Sequence, residues 1–574
     1  MKINNTSITS KDIDKEVTLY GWINKKRNLG GLIFIDLRDK SGIIQLVINP
    51  ESKIYDLAST LKNEYVIKAK GKVQKRQNIN PNLVTGEIEV VLSDLEILNE
   101  CEDLPFDLNN VTALEDTRLK YRYLDLRRSE LQEKLFIKHK IMTSAREYLN
   151  SLDFTEIETP ILCKSTPEGA RDYLVPSRVN KGEFYALPQS PQLFKQLLMV
   201  GGLERYYQIA RCFRDEDLRA DRQPEFTQID MEMSFVDMDD VINTTEGLLQ
   251  KVFKDVKGID IKLPIDRMKY DDAINLYGSD KPDLRFDMKI NDISDIFKTS
   301  DFKVFKDVIK DGGMVNCIIV KDKASDFSRK SVDKLTEFVK IYGASALAFL
   351  KCDNGFTGSI SKFVTEDIEK ELLQKLNIEN NDILFIVAGN KKIVKTSLGA
   401  LRCKIAKELN LIKDEYKLVW ITDFPMFEYS EEENRYIACH HPFTMPYNVD
   451  ELDDKENAKA IAYDIVLNGY ELGGGSLRIH NPKVQNKVLN ALGFSDEEAK
   501  ERFGFLLNAL SLGTPPHGGL AIGLERFTMI LSNTDNIRDV IAFPKTASAS
   551  DLMTEAPGKV SERQLEELNI ALRS

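Results

Sequence analysis

The chain has 574 residues, of which 42% are hydrophobic and 30% are charged, and it carries a net charge of −12. Because domains usually contain roughly 50 to 250 residues, a chain of this length is expected to form about three or four of them. The acidic balance excludes a uniformly basic nucleic-acid-binding protein, so any contact with RNA phosphates must rest on local basic patches.

The sequence carries no sign of a membrane segment or an export signal. No run approaches the ~18 apolar residues of a membrane-spanning helix, and the N-terminal stretch has neither an apolar core nor an arginine-rich amphipathic pattern. Seven cysteines are scattered without a C-x-x-C pair, which argues against a zinc site or a disulfide framework. We therefore expect a cytoplasmic protein with no membrane contact, no zinc and no disulfide framework.

Residues 16–98 contain five short extended segments separated by turn residues. Five such strands predict an OB-type barrel, a fold that commonly binds single-stranded nucleic acid. In that hypothesis Phe34 stacks on a base, while Lys26 and Arg27 contact phosphates. The sequence equally allows Trp22 and Phe34 to be core residues of the barrel.

A helical pattern follows a boundary near residues 101–107, and its apolar side chains recur along one stripe. The stripe consists of Leu131, Leu135, Met142, Ala145 and Leu149. It predicts a surface that is buried either against a second subunit or in the core of this chain.

Five arginines and no lysine lie in a short stretch that is otherwise rich in acids: Arg205, Arg211, Arg214, Arg219 and Arg222. The planar guanidinium grips phosphate or carboxylate with two parallel hydrogen bonds, so the cluster predicts a polyphosphate or nucleic-acid site. The alternation of apolar residues on both sides predicts strand, loop, strand, with residues 215–224 as the loop. A solvated hairpin tip with balanced charges is the alternative.

Residues 289–413 differ in character from their flanks. They contain their own β-like runs and helical runs rich in lysine and glutamate. This pattern predicts an inserted α+β domain.

Two acids, Asp464 and Glu471, lie seven residues apart in the last third of the chain. Seven residues is two helical turns, so we expect both acids on one face of a helix that ends in a glycine-rich turn. A solvated helix face is the alternative. His440 and His441 are adjacent, and adjacent residues on a strand point to opposite faces, so we expect no histidine metal site.

Three segments together resemble a known family. The run Phe213 to Glu216, followed by a loop and Phe226, resembles motif 2 of the class II aminoacyl-tRNA synthetases, and RDEDLRADRQPEFTQID is similar to the bacterial-type aspartyl-tRNA synthetases. GLAIGLERFTMIL resembles motif 3 of the family, and FTEIETPIL resembles motif 1. The family usually has aspartate before the motif 3 arginine, whereas this chain has Glu525.

The resemblance implies an α+β multidomain protein with an N-terminal OB-fold β-barrel, an antiparallel-sheet catalytic domain of the class II synthetase type and an inserted α+β domain. The expected divisions are 1–105 for the OB-fold anticodon-binding domain, 106–288 for the first part of the catalytic domain with motifs 1 and 2, 289–413 for the inserted domain, and 414–574 for the second part with motif 3. A homodimer is implied, with the stripe helix and the segment around Pro160 at its interface.

The implied activity is ATP-dependent ligation of L-aspartate to tRNA-Asp through an aspartyl-adenylate, with Mg²⁺ accompanying ATP and no zinc or organic cofactor. One alternative is a less selective enzyme that also aspartylates tRNA-Asn. A related ligase for asparagine or lysine and a non-catalytic RNA-binding relative are further alternatives.

The resemblance also assigns roles to individual residues. Arg214, Glu216 and Arg526 are the implied catalytic residues. The implied ATP-binding residues are Arg214, Asp215, Glu216, Gln223, Phe226, Glu471, Gly523, Leu524, Glu525 and Arg526. The implied aspartate-binding residues are Glu168, Gln192, Lys195, Arg214, Asp230, His440 and Arg478. Asp464 and Glu471 are the implied Mg²⁺ carboxylates, and the expected tRNA-binding residues are Arg27, Phe34, Gln45, Arg219 and Arg222.

Overall fold

The structure is a computed structural model that describes residues 3–166, 170–431 and 433–573. The chain divides into two compact units. One unit contains Met1–Phe136 with Ile541–Gly558, and the other contains Ile137–Val540 with Lys559–Ser574. No helix in the described residues is long and apolar enough to cross a membrane.

The first unit contains a closed five-stranded barrel in the order β1-β2-β3-β5-β4. Its elements are β1 (Glu16–Leu29), β2 (Leu32–Asp39), β3 (Gly42–Ile48), α1 (Tyr55–Thr60), β4 (Val66–Lys75) and β5 (Ile88–Asn99). Alternation along β2 puts Ile33, Ile35 and Leu37 into a fully buried core and leaves Phe34 half-buried on the outer face. The predicted OB-fold barrel is therefore confirmed, and Phe34 is an outward-facing residue rather than a core residue.

The chain then forms several helices, a separate two-stranded sheet and the first strands of a larger sheet. In chain order these elements are α2 (Glu115–Lys120), α3 (Arg122–Asp125), α4 (Ser129–Ser151), β6 (Thr155–Glu156), β7 (Leu174–Pro176), β8 (Phe184–Ala186), α5 (Gln192–Val200), β9 (Arg205–Phe213), β10 (Glu225–Ser234), α6 (Met238–Lys257), β11 (Arg267–Lys269) and α7 (Tyr270–Tyr277).

A separate five-stranded sheet follows, in the order β12-β13-β16-β14-β15. Its segment contains β12 (Ile290–Asp292), α8 (Ser294–Phe297), α9 (Lys303–Lys310), β13 (Met314–Val320), α10 (Arg329–Lys340), β14 (Ala348–Cys352), β15 (Phe356–Gly358), α11 (Glu366–Leu376), β16 (Ile383–Gly389) and α12 (Lys391–Glu408). Buried apolar residues cover both faces of this sheet. The predicted α+β character of this segment is confirmed.

The rest of the chain returns to the larger sheet. Its elements are β17 (Leu418–Thr422), β18 (Phe427–Ser430), β19 (Arg435–Ala438), β20 (Ala462–Leu467), β21 (Tyr470–Leu477), α13 (Pro482–Ala491), α14 (Asp496–Leu510), β22 (His517–Gly523), α15 (Leu524–Leu531) and α16 (Glu562–Glu567).

The larger sheet has eight strands in the order β11-β17-β20-β21-β22-β10-β9-β6. Its five central pairings are antiparallel, and β11 and β6 pair in parallel at the two edges. One face packs on α4, α6 and α15 through a large apolar cluster. Ala145 and Leu149 of the predicted stripe are fully buried in that cluster, so the second half of the stripe is covered within this chain.

Candidate active site

An open cleft of about 540 Å³ lies against the larger sheet. Its walls come from the β9–β10 hairpin and its loop, from β20 and β21, from the residues after β19, and from the junction between β22 and α15. The residues of the cleft wall that were predicted from the sequence are Arg214, Glu216, Arg222, Gln223, Phe226, His440, Asp464, Glu471, Gly523, Glu525 and Arg526.

The arginine-rich segment forms the predicted hairpin. β9 and β10 pair antiparallel from Phe213 opposite Glu225 to Arg205 opposite Met233. The Arg214 backbone N–H donates to the Pro224 carbonyl over 2.8 Å and closes the loop. The Arg214 guanidinium lies 5.0 Å from the centre of the Phe226 ring, so a cation and an aromatic face stand side by side in the cleft.

Two arginines at the mouth of the cleft form ion pairs with acidic residues. Arg222 pairs with Glu216 over 3.0 Å. Arg526 pairs with Asp221 over 3.3 Å and donates to the Glu471 backbone carbonyl over 2.6 Å. The carboxylates in these pairs are partly exposed, so an incoming polyphosphate can displace them from the arginines at little cost.

The prediction that Asp464 and Glu471 share a helix is wrong. Asp464 lies on β20 and Glu471 on β21, and the two strands are joined by Asn468 and Gly469, which both have positive φ. Asn-Gly is the preferred pair for a two-residue hairpin turn, and that turn converts the helical spacing into a strand pairing. Both acids nevertheless face the same cleft.

Glycines form the floor of the cleft along β21. A Cβ atom added to Gly474 would lie 2.4 Å from the Asp464 Oδ1. Gly473 is similarly close to the Ala521 carbonyl oxygen. The floor is therefore backbone, because no side chain fits there.

His440 and Asp464 form a buried pair in which the Nε2 and Oδ1 atoms are 3.4 Å apart. Burial alone would lower the pKa of His440, but the hydrogen bond to Asp464 raises it to about 10. The pKa of Asp464 is raised by burial and by the nearby charges of Glu471 and Asp280, against the lowering effect of His440. The two groups therefore keep a proton between them at neutral pH.

Behind the cleft wall lies a second charged group, the buried ionic network, consisting of Lys195, Asp230, Glu232, Arg478 and His441. Lys195 Nζ is 2.6 Å from Asp230 and 3.2 Å from Glu232. Arg478 donates to Glu232 through two bonds of 2.9 and 3.1 Å and to His441 over 2.7 Å. The side chains of the two cations and two acids are 3% exposed or less.

The two acids of this network respond differently to their surroundings. Burial raises the pKa of Asp230 against the opposing charge of Lys195. Burial would raise the pKa of Glu232, but Arg478 and Lys195 hold it at about 2. Burial and the positive charge of Arg478 lower the pKa of His441 well below its usual value. A neutral His441 can accept the Arg478 hydrogen bond, whereas an imidazolium could not.

Several residues predicted to bind aspartate belong to this layer rather than to the cleft wall. Lys195 and Asp230 are in the network, and Gln192 donates to Gln196 over 3.1 Å on the same helix. The Asp230 Oδ2 atom is buried and has no hydrogen-bond partner among the described residues. Glu168 lies outside the described residues.

The remaining predicted ATP-binding residues have protein partners of their own. Asp215 points towards Arg171, 3.6 Å away. Leu524 is fully buried in the core beneath the sheet, so its side chain does not face the cleft. Glu525 accepts from Lys138 over 2.7 Å and from the Thr227 backbone N–H over 2.8 Å.

Two arginines of the predicted tRNA-binding set lie in the hairpin loop with different surroundings. Arg219 is exposed, whereas Arg222 lines the cleft. The other two arginines of the cluster are tied to the chain: Arg205 donates to the Leu152 carbonyl, and Arg211 pairs with Glu225.

In the barrel, Arg27, Phe34 and Gln45 lie on neighbouring strands. Arg27 is opposite Phe34, and Gln45 is opposite Asp36, which accepts from Arg27 over 2.6 Å. Phe34 is half-buried, whereas Gln45 is only 4% exposed and bonds to Arg76 and Glu89. The sequence placed these residues together, but it did not predict that Gln45 is enclosed.

Sequence reasoning missed several residues of the site, among them four that carry or can carry a charge: Asp221, Glu232, Asp280 and His441. A signal existed for two of them. Glu232 follows Asp230 at the spacing of one strand face, and His441 follows β19 rather than lying on it, so both adjacent histidines reach the cleft wall. Asp280 comes from the segment after α7, and no local pattern connects it with the cleft.

The carboxylates that line the cleft suit a Mg²⁺ ion that is shared with a substrate better than a metal ion that the protein binds alone. No group of three or more His, Cys, Asp or Glu side chains in the described ranges is arranged to hold a metal ion. Asp464 and Glu471 line one cleft and influence each other's charge. Mg²⁺ commonly binds one or two carboxylates together with substrate phosphates, and these two residues fit that mode.

Comparisons with known proteins agree with this geometry. A family model described as tRNA synthetases class II (D, K and N) matches residues 114–547, and an OB-fold nucleic acid binding domain model matches residues 17–98. The chain is 55% identical over 575 residues to an aspartate–tRNA ligase of Macrococcus caseolyticus, covering 98% of this chain and 97% of that protein. It is 54% identical over 579 residues to the aspartate–tRNA ligase of Staphylococcus epidermidis, covering 99% and 98%.

Solved structures share the fold at low sequence identity. The asparaginyl-tRNA synthetase from Pyrococcus horikoshii complexed with asparaginyl-adenylate matches with a TM-score of 0.60 and 18% identity over 95% of this chain and 98% of that one. The aspartyl tRNA synthetase from Entamoeba histolytica matches with a TM-score of 0.59 and 19% identity over 95% and 91%. With the family model and the bacterial relatives, the motifs and the cleft lead to one conclusion: this chain belongs to the class II tRNA synthetase family.

Proposed function

We propose that this protein is an aspartate–tRNA ligase. It joins L-aspartate to the 3′ end of tRNA-Asp at the expense of ATP, with release of AMP and pyrophosphate. The observation that carries the proposal is the pair of buried cations, Lys195 and Arg478, directly behind a cleft lined by arginines. The bacterial relatives named aspartate–tRNA ligase support the same substrate.

The first step forms aspartyl-adenylate. An oxygen of the aspartate α-carboxylate attacks the α-phosphorus of ATP, the bond to the bridging oxygen breaks, and pyrophosphate leaves. Arg214 neutralises the α-phosphate and orients the carboxylate, and Arg526 binds the γ-phosphate. This chemistry needs positioning and charge neutralisation rather than an enzyme nucleophile.

The adenosine part of ATP fits the other residues of the cleft. Phe226 supplies a stacking face beside Arg214, and Glu216 and Gln223 lie close enough along the same hairpin to bind the base and ribose. We assign Asp215 and the motif 3 residues Gly523, Leu524 and Glu525 to the same ATP-binding region, with Glu525 acting through its bond to Thr227.

The aspartate side chain is selected by charge. Lys195 and Arg478 bind its β-carboxylate, Asp230 accepts from its α-ammonium through the oxygen that has no described protein partner, and Gln192, His440 and Glu168 complete the pocket. Asparagine would have to compete with Asp230 and Glu232 for these buried cations without bringing a negative charge of its own, which is a large penalty in a desolvated site.

Mg²⁺ would be held by Asp464 and Glu471 together with ATP phosphates, and it would supply further neutralisation of phosphate charge. The protein's own contribution is to place both carboxylates on paired strands above the glycine floor. His440 shares a proton with Asp464 and so limits the negative charge at this wall.

The second step transfers aspartate to tRNA. The terminal ribose hydroxyl attacks the aspartyl carbonyl, and AMP leaves. Arg219 and Arg222 face the acceptor end, while Arg27, Phe34 and Gln45 of the barrel contact the anticodon by stacking and phosphate pairing.

We propose the domain division expected from the sequence: 1–105 for the anticodon-binding domain, 106–288 and 414–574 for the catalytic domain, and 289–413 for the inserted domain. We also propose a homodimer that acts in the cytoplasm. Ile161 and Leu162, beside Pro160, are 48% and 53% exposed and supply apolar surface for a partner subunit.

The decisive experiment is ATP–pyrophosphate exchange with each of the twenty amino acids. We expect aspartate to support exchange and asparagine and lysine to fail. Exchange that is driven better by asparagine or lysine, or no exchange with aspartate, would overturn the proposal.

Aminoacylation of purified tRNA-Asp and tRNA-Asn tests the nucleic-acid substrate separately. We expect charging of tRNA-Asp, and Phe34→Ala should weaken tRNA binding by about 1 to 3 kcal/mol without changing pyrophosphate exchange. Charging of tRNA-Asn at a comparable rate would identify the less selective enzyme.

A further inference from the structure

A buried arginine in the inserted segment holds the stretch of chain that leads to the ATP-side acids. Arg402 on α12 is 1% exposed. Its guanidinium lies 4.2 Å from the centre of the Phe286 ring and 5.0 Å from that of Tyr277. It donates to the backbone carbonyls of Met288 over 2.8 Å and Asp283 over 3.0 Å, so one side chain fixes both ends of a short segment.

The same helix makes two further contacts with α7. Gly399 packs directly against Gly278, because a Cβ on Gly278 would lie 2.9 Å from the Gly399 Cα and 2.1 Å from the Lys395 carbonyl oxygen. The partly buried ammonium of Lys395 donates to the Asn275 carbonyl over 2.8 Å. Close backbone contact on one side and buried hydrogen bonds on the other leave α12 little freedom to move relative to α7 and the residues that follow it.

The segment held by Arg402 reaches the cleft through residues 279–285, here called the bridging segment. Asp283 is locked by Arg285 through bonds of 3.0 and 2.7 Å, and its Cβ packs on Gly469, so close that a Cβ added to Gly469 would lie 3.0 Å away. Gly469 belongs to the turn that immediately precedes Glu471. A displacement of Asp283 would therefore move the turn that carries an ATP-side acid.

The bridging segment also presents charges to the cleft. Lys281 Nζ lies 3.7 Å from Glu471, and Asp280 forms part of the cleft wall beside Asp464. Lys281 thus places a positive charge beside an acid that belongs to a different strand.

We propose that Arg402 is a positioning residue for ATP binding, acting through the bridging segment on Lys281, Asp280 and Glu471. The inserted segment thereby serves as a brace for the ATP side of the active site. Lys281 contacts Glu471 directly, whereas Asp280 reaches His440 of the aspartate pocket indirectly, through Asp464, so the effect should be larger for ATP than for aspartate. The proposal depends on the proposed function insofar as Glu471 belongs to an ATP site.

The test compares Arg402→Met with Lys404→Met, a matched change on the same helix at a lysine that pairs with Glu408 and lies over Phe338. Wild-type exchange with aspartate first establishes the activity itself. For Arg402→Met we expect the KM for ATP to rise about tenfold with a less than about twofold change in the KM for aspartate. Calorimetric titration of ATP without aspartate should show the same loss of affinity, and Lys404→Met should match the wild type in both.

Lys281→Met tests the far end of the connection without disturbing a buried core. It should raise the KM for ATP by about three- to tenfold, and the double variant should show less than the product of the two single effects, because both act on Glu471. Melting temperatures verify that the variants are folded. If folded Arg402→Met or Lys281→Met keeps a normal affinity for ATP, or if both substrates are affected equally, the brace is refuted even though the ligase activity stands.

Discussion

The two charged regions of the active site are built in opposite ways. In the buried ionic network, Lys195 and Arg478 face Asp230 and Glu232 with almost no exposure to solvent. At the cleft mouth, Arg222 and Arg526 pair with acids that are between one quarter and one third exposed. The same kinds of ion pair therefore occur in two dielectric environments.

In the proposed mechanism, the buried network selects the amino acid and the cleft mouth binds the phosphates of ATP. A buried cation that loses its anionic partner is costly, so the network can reject a substrate that lacks a carboxylate. Solvated ion pairs contribute little free energy. The pairs at the cleft mouth can therefore break at little cost, so that their arginines bind phosphates instead. Four perturbations test this division.

The largest effect is expected for Arg478→Met. Loss of the buried guanidinium should lower kcat/KM for aspartate, measured by pyrophosphate exchange. The decrease should correspond to about 2 to 5 kcal/mol of lost transition-state stabilisation. Arg435→Met, at an exposed arginine paired with Glu433, is the matched control and should leave these kinetics unchanged. Adding Glu232→Gln to Arg478→Met should recover thermal stability without recovering aspartate binding. Near-normal aspartate kinetics in Arg478→Met would show that the network does not select the substrate.

Arg526→Ala should have the next largest effect. The variant loses charge-assisted bonds to phosphate worth about 1.5 to 3 kcal/mol, so the KM for ATP should rise by one to two orders of magnitude. Its melting temperature should change little, because the Asp221 partner is solvated. A large loss of stability with unchanged ATP kinetics would show that Arg526 stabilises the fold, as the buried network does, rather than binding ATP.

The pH dependence of stability should report the neutral histidine of the network. The folded-state pKa of His441 is lowered from 6.5, so its stabilising contribution is complete above that value and decreases below it, as the unfolded chain takes up a proton that the folded chain excludes. The loss is at most about 1.4 kcal/mol per pH unit for one group. Urea unfolding between about pH 7.5 and about pH 5.5 should therefore show a weaker pH dependence in His441→Gln than in the wild type; equal slopes would contradict a neutral His441.

Asp221→Asn should have the smallest effect. Removing a partly solvated competitor for Arg526 should lower the KM for ATP by at most about threefold and change the free energy of unfolding by less than about 1 kcal/mol. The comparison with Arg526→Ala in the same assay separates the arginine from its partner. A rise in the KM for ATP would mean that Asp221 binds the substrate or positions Arg526.

Local patterns predicted the parts of the molecule that are determined locally. Alternation predicted the barrel strands and the β9–β10 hairpin, and the concentration of arginine pointed to a segment that lines the cleft. The seven-residue spacing of Asp464 and Glu471 led to a wrong prediction of a helix. Residues with that spacing can lie on the same side either of a helix or of two strands joined by a two-residue turn. The Asn468–Gly469 pair was the signal that distinguishes them.

The buried network lay beyond local patterns. Lys195, Glu232 and Arg478 come from α5, β10 and the end of β21, and only the folded sheet brings them within hydrogen-bond distance. Family resemblance named Lys195 and Arg478 but not Glu232. In β10 the alternation of Asp230 and Glu232 with buried Ile229 and Met231 could have indicated a polar face within the core.

The glycine floor along β21 has a practical consequence for inhibition. A compound that lies flat on Gly473 and Gly474 would contact backbone atoms, which substitution cannot remove. Any larger residue at Gly474 would collide with the Asp464 carboxylate. Resistance by replacement of the contacted residues should therefore be rare for such a compound, and it would have to arise at the arginines and acids around the floor.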